Sequence, residues 1–119
     1  MGTRASIVIQ DKHDTIFLYR GHDGYPSETL TDLQKTLDKY SQYLDDAVSI
    51  ATWILWQQNQ LSSTPDYELT SCCHGDEDYL YLIDSKTKKI QAYQTPRKDD
   101  WEIQNIANII ADCKKIEHE

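Results

Sequence analysis

What the chain lacks narrows the reading before any motif is weighed. Lys and Arg number 12 against 20 Asp and Glu, a formal net charge of −8. General nucleic-acid binding draws its affinity from Lys and Arg that neutralise phosphate, and an anionic membrane surface asks for the same charge, so both are disfavoured. No apolar run approaches the ~18 residues of a membrane span. The opening Met-Gly-Thr-Arg-Ala-Ser lacks the apolar stretch of a secretory signal. Three cysteines, two of them adjacent at Cys72-Cys73, make no disulfide framework and fit a reducing cytoplasm. There is no phosphate loop, dinucleotide fingerprint, nucleophile elbow or H-E-x-x-H pair, so no catalytic residue and no cofactor is assigned. With four Gly and three Pro, the chain also has no flexible linker and no low-complexity segment.

What is present suits one globular domain. The 119 residues are 39% hydrophobic and 27% charged, with eight Tyr and three Trp to fill a core. Residues 5–10 (ASIVIQ) and 15–20 (TIFLYR) are β-branched or apolar runs around the turn-forming Asp11-Lys12-His13-Asp14, an N-terminal hairpin. Ser27 is a candidate N-cap for a helix on which Leu30, Leu33, Leu37, Tyr40 and Leu44 recur every three or four residues. Asp45-Asp46 interrupts and caps a second helix, 47–61. Carrying Val48, Ala51, Trp53, Ile54, Leu55 and Trp56, it is expected to be the more buried of the two. Three strands follow at 67–73, 79–83 (YLYLI) and 89–94, read as a meander with 79–83 central to the sheet. Asp99 and Glu102 form a capping box for a last helix with Ile103, Ile106, Ala107, Ile110 and Cys113 on its apolar face and Lys114-Lys115 in its final turn. The order ββααβββα predicts a single α+β domain, residues 1–119, with a mainly antiparallel sheet packed against helices.

Three constellations are candidates for chemistry or contact. In the segment LYRGHDGYP, Arg20, His22, Asp23 and Tyr25 lie between a strand end and a helix start, where backbone donors often meet anions. The same residues also read as turn chemistry, with Asp23-Gly24 turning the chain and Arg20 bracing the loop against Asp23. Cys72, Cys73 and His74 are too closely spaced for a zinc site, since only Cys72 and His74 would share a strand face, so no metal is assigned. Finally, if Leu80 and Leu82 face the helices, Tyr79 and Tyr81 point away from them, joined by Tyr93. Rimmed by Asp76, Glu77 and Asp78, these tyrosines read as a protein-binding patch.

The opening MGTR, the segment YRGHDGYP and the later HGDEDYLYLID resemble a family of small phage, prophage and bacterial proteins. Its members open Met-Gly-Thr-Arg and carry a Tyr-Arg-x-x-Asp-Gly-Tyr-Pro segment. Tyr19, Arg20, Asp23, Gly24, Tyr25 and Pro26 are the matching positions, and His22 falls on an unspecified one. The resemblance implies a phage or mobile-element setting inside a bacterial host cell and brings no activity with it. The expectation is therefore an acidic accessory protein that binds a host protein. That host protein would be one with a basic nucleic-acid-binding surface, and the accessory protein a counter-defence inhibitor of the anti-CRISPR kind. Two alternatives stand beside it: a small-ligand or nucleotide binder or enzyme built on Arg20, His22 and Asp23, and a self-associating domain without catalysis. Direct nucleic-acid contact and membrane association are not expected.

Overall fold

A computed structural model describes residues 3–60, 67–96 and 106–116. The elements are β1 (Ala5–Gln10), β2 (Thr15–Arg20), α1 (Pro26–Lys39), α2 (Ala47–Asn59), β3 (Tyr67–Thr70), β4 (Tyr79–Asp84), β5 (Ile90–Gln94), α3 (Ile106–Ala111) and β6 (Lys114–Ile116), with a single 3-10 turn at Ser41–Tyr43. The fold is α+β: one six-stranded sheet, order β3-β2-β1-β4-β5-β6, antiparallel except for the central β1–β4 pair. No described helix is long and apolar enough to cross a membrane.

The β1–β2 hairpin forms as its composition suggests. The Asp11 carboxylate accepts the backbone N–H groups of His13 and Asp14, both at 2.7 Å, and closes the turn. Its other oxygen accepts Ala47 N–H at 2.8 Å, which ties the hairpin to the first turn of α2. That helix starts as expected, with Asp46 and Ser49 in a reciprocal capping box. The entry to α1 differs from expectation. Pro26, not Ser27, opens the helix, and Tyr25 occupies the N-cap with no side-chain bond. Proline serves at N1 because the N–H it lacks would be unpaired there anyway. The stripe of α1 also outlasts the helix, since Tyr40 is its C-cap and Leu44 is buried after the 3-10 turn. As expected, α2 is the more buried helix: only Val48, Thr52 and Trp56 of it are exposed, whereas half of α1 is, and Trp53 stacks on Tyr40 at 4.2 Å.

Four further expectations are corrected. Residues 67–94 do not form a meander: β3 crosses to the far edge and pairs with β2, while β4 inserts beside β1. β1 and β4 are both apolar on two faces and belong in the middle, where both faces are covered. The strand at 67–73 is shorter than expected, because β3 stops at Thr70 and residues 71–78 are loop. The last helix ends at Ala111, and Lys114-Lys115 belong to β6, which pairs with β5. The capping box at Asp99 and Glu102 lies outside the described residues.

The fourth correction concerns the sheet faces. Ile7, Ile9, Leu18, Tyr81, Ile83 and Ala92 share one face with Leu33, Leu37, Ile50 and Ile54 of α1 and α2. Val8, Leu80 and Tyr93 share the other with Cys73 and with Ile109 of α3, and Leu82 is packed against them. The tyrosines at 79 and 81 therefore face α1 and α2, and the leucines face away. Tyr93 sits opposite Leu80 in the ladder, so it lies on the face that Tyr79 and Tyr81 do not use.

Candidate functional site

One end of the sheet gathers most of the residues singled out above. β1 and β4 begin there and β2 ends there, with Ala5 paired to both Arg20 and Tyr79. The Thr3-Arg4 backbone runs between the turn after β2 and the loop before β4. Thr3 C=O accepts Gly24 N–H at 2.9 Å, Arg4 C=O accepts Asp78 N–H at 2.8 Å, and Arg4 N–H donates to Asp78 Oδ2 at 3.2 Å. Two segments more than fifty residues apart thus become one surface.

The turn owes its shape to two unlike residues. Asp23 takes the left-handed conformation, φ 56°, which Asp tolerates better than most side chains. Gly24 is needed for space. A Cβ there would lie 2.9 Å from Ala5 Cβ, 3.0 Å from Thr3 O and 3.0 Å from Arg4 C. Its carbonyl accepts the Tyr81 hydroxyl at 2.7 Å. Tyr81 is fully buried and works as an anchor for the turn.

Arg20 turns inward. Its Nη1 donates to Tyr67 OH at 2.8 Å, Asp32 Oδ2 at 3.0 Å and Thr29 Oγ1 at 3.1 Å, with the guanidinium 4.9 Å from the Tyr67 ring centre. Its carboxylate partner is Asp32, not Asp23, and only 5% of Arg20 is exposed. Burial is the chief reason the Tyr67 phenol titrates far above its ordinary range, partly offset by the nearby Arg20 charge. The Arg20, His22 and Asp23 constellation is therefore divided: Arg20 locks β2, β3 and α1 together, while His22 and Asp23 lie on the surface.

The loop at 71–78 is organised by its acids. Glu77 is fully buried and accepts Ser6 Oγ, His74 N–H at 2.8 Å and Gly75 N–H at 2.6 Å. Gly75 has φ 96°, which favours glycine. Glu77 thus shapes the loop from within and is not part of an acidic rim. Asp76 pairs with Arg4 at 2.8 Å and accepts the Tyr19 hydroxyl at 3.2 Å. Desolvation first, and the Asp76 charge second, push the Tyr19 phenol up to about 12. The His74 ring stacks on Tyr19 at 4.2 Å, and its Nε2 lies 2.9 Å from Thr70 Oγ1. Cys73 is buried, and desolvation raises its thiol to about 12. Among the described residues no group of three His, Cys, Asp or Glu could hold a metal ion.

On the surface at this end are His22, Asp23 and Tyr25, with Asp76, Asp78 and Tyr79 half-buried beside them. The aromatic pair is Tyr25 with Tyr79, ring centres 6.5 Å apart, in place of the Tyr79, Tyr81 and Tyr93 row. Sequence reasoning gave no site role to Thr3, Arg4 or Asp32, and named Tyr19 only as a matching position of the family segment. Arg4 could have been found as an arginine just ahead of a central strand with an acidic run elsewhere to pair with. Asp32 carried no such mark. Carboxylates and two phenol rings thus lie together at this end of the sheet. Comparison with family models, curated proteins and solved structures finds no match.

Proposed function

We propose that this is an acidic accessory protein of a phage or mobile element that binds a bacterial host protein through the strand-end surface. The observation that carries the reading is the fusion of the 21–25 turn and the 76–79 loop across Thr3-Arg4. It sets Asp23, Asp78, Tyr25 and Tyr79 side by side. Tyrosines supply contact area at low entropic cost, and carboxylates steer toward basic partners. The net charge of −8 favours the same class of partner. The resemblance to phage and prophage proteins supplies the setting, and a counter-defence inhibitor that covers a nucleic-acid-binding groove is the finer form of the proposal.

The test is affinity capture from bacterial lysate with the tagged protein and with an Asp23→Asn/Tyr25→Ala variant. Both residues are exposed, and Asn tolerates the left-handed backbone at position 23. A single host protein is expected at near-equal stoichiometry, lost with the variant and weakened as salt screens the charges. Capture that is indifferent to the variant and to salt would place the contact elsewhere.

A further inference from the structure

α2 is built without a single charge: AVSIATWILWQQN holds no Asp, Glu, Lys or Arg, in a chain that is 27% charged. Ala47, Ile50, Ala51 and Ile54 are buried against the sheet. The exposed residues of the helix are Val48, Thr52 and Trp56, spaced by four and so aligned as one stripe along its outer side. Trp56 is 58% exposed. The Thr52 hydroxyl donates to Val48 O at 2.8 Å, which satisfies the polar group between Val48 and Trp56 within the helix itself. Beside α2 stands Tyr43, also exposed, its ring centre 5.6 Å from that of Trp53. Large apolar side chains left together in water mark contact surfaces.

We infer that this stripe pairs with the same stripe of a second copy, the two α2 helices antiparallel about a two-fold axis at Thr52. Such a contact brings a patch against itself, and this patch suits that in shape and in charge. With Thr52 on the axis, Trp56 of each copy lies against the smaller Val48 of the other, so the bulky end of one stripe fills the space beside the slim end of its partner. Charge decides between a second copy and other occupants. A basic host protein is matched by carboxylates, which this stripe lacks. A chain of net charge −8 meets itself favourably only where like charges are not opposed. The acids next to the stripe in sequence are Asp45 and Asp46, at the start of the helix. From Asp46 to Thr52 is about 9 Å along the helix axis. The antiparallel arrangement therefore holds the two Asp46 residues about 18 Å apart, roughly twice the Debye length at physiological salt. A parallel arrangement would set them side by side. Three side chains and their flanks fall at the low end of specific interfaces, so the dimer is weak. None of these residues belongs to the strand-end surface, and neither reading depends on the other.

The experiment is sedimentation velocity of the whole protein from about 1 µM to about 500 µM, at low and at physiological salt. A monomer–dimer equilibrium with a dissociation constant of about 10–100 µM is expected, tightening as salt screens the net charge. Capture of a basic host protein at the strand-end surface weakens under the same change. Trp56→Gln is expected to weaken the dimer about tenfold or more, and Val48→Gln, which meets the same contact from the other side, about threefold. Both positions are exposed, so each variant should melt within about 2 °C of wild type. Asp23→Asn/Tyr25→Ala should dimerise as wild type does, whatever its result in host capture. A protein that stays monomeric throughout the range, a dimer indifferent to both stripe variants, or growth beyond the dimer would overturn the assignment.

Discussion

Gly24 offers the sharpest test of how the turn is built. The usual reason for glycine in an Asp-Gly turn is a left-handed φ, but here Asp23 takes that conformation. Gly24 is required because the Thr3-Ala5 segment passes too close for a side chain. In Gly24→Ala the new methyl would lie 2.9 Å from Ala5 Cβ and 3.0 Å from two backbone atoms of residues 3 and 4. Backbone at the head of a central strand cannot yield as a flexible side chain can, so the cost falls toward the upper part of the overpacking range, about 2–3 kcal/mol. For a domain of this size that is a fall in Tm of about 10 °C. A double-mutant cycle with Ala5→Gly locates the strain. Removing the Ala5 methyl leaves the two backbone contacts, so about 1 kcal/mol of the penalty should be recovered relative to additivity. Differential scanning calorimetry of the four proteins supplies the numbers. A Gly24→Ala protein melting within about 2 °C of wild type, or strictly additive effects in the cycle, would refute the close-approach explanation.

Three further outcomes are expected. Arg20→Ala removes three hydrogen bonds and the charge facing Asp32. A loss of about 3 kcal/mol in urea unfolding is expected, and a loss below about 1 kcal/mol would mean the cluster is dispensable. The backbone bonds from Ala47, Asp14 and His13 lower the Asp11 carboxyl below its ordinary value. The stability it lends is therefore present above the unfolded carboxylate pKa, near 4, and is lost as pH falls through the lower folded value. Acid unfolding of Asp11→Asn should show a shallower dependence on pH below about 4, and an unchanged slope would remove Asp11 from the acid response. Burial is the main cause lifting the Cys73 thiol to about 12 and the Cys113 thiol to about 11. Disulfide-reagent titration of the native protein at pH 8 should find Cys72 reacting first, and Cys72→Ser should erase the fast phase. A fast phase that survives Cys72→Ser would contradict the raised thiols of Cys73 and Cys113.

Local signals account for much of the fold. The β-branched runs of β1 and β2, the three-and-four spacing of α1 and the Asp46 cap of α2 each follow from short-range chemistry. The order ββααβββα and the α+β class follow from them. The candidate site was legible only in part. His22, Asp23 and Tyr25 could be read as a shaped turn from nine residues, and Asp76 and Asp78 as an acidic loop. Their meeting depends on Thr3-Arg4 passing between segments far apart in the chain.

Tertiary structure decided the rest, for a definable reason. YLYLI is apolar on both faces of a strand, so alternation alone cannot say which face the helices cover. Tyr81 is a buried anchor because α1 and α2 pack on its side of the sheet. Arg20 and Glu77 look like surface charges in a one-dimensional reading, yet Arg20 is buried where acceptors from α1 and β3 converge, and Glu77 between Ser6 of β1 and the backbone N–H groups of its own loop. The parallel β1–β4 pair likewise arises because both strands need cover on two faces and only the centre of the sheet supplies it. Sequence fixes what each segment can bury, and the packing of the whole chain decides against what.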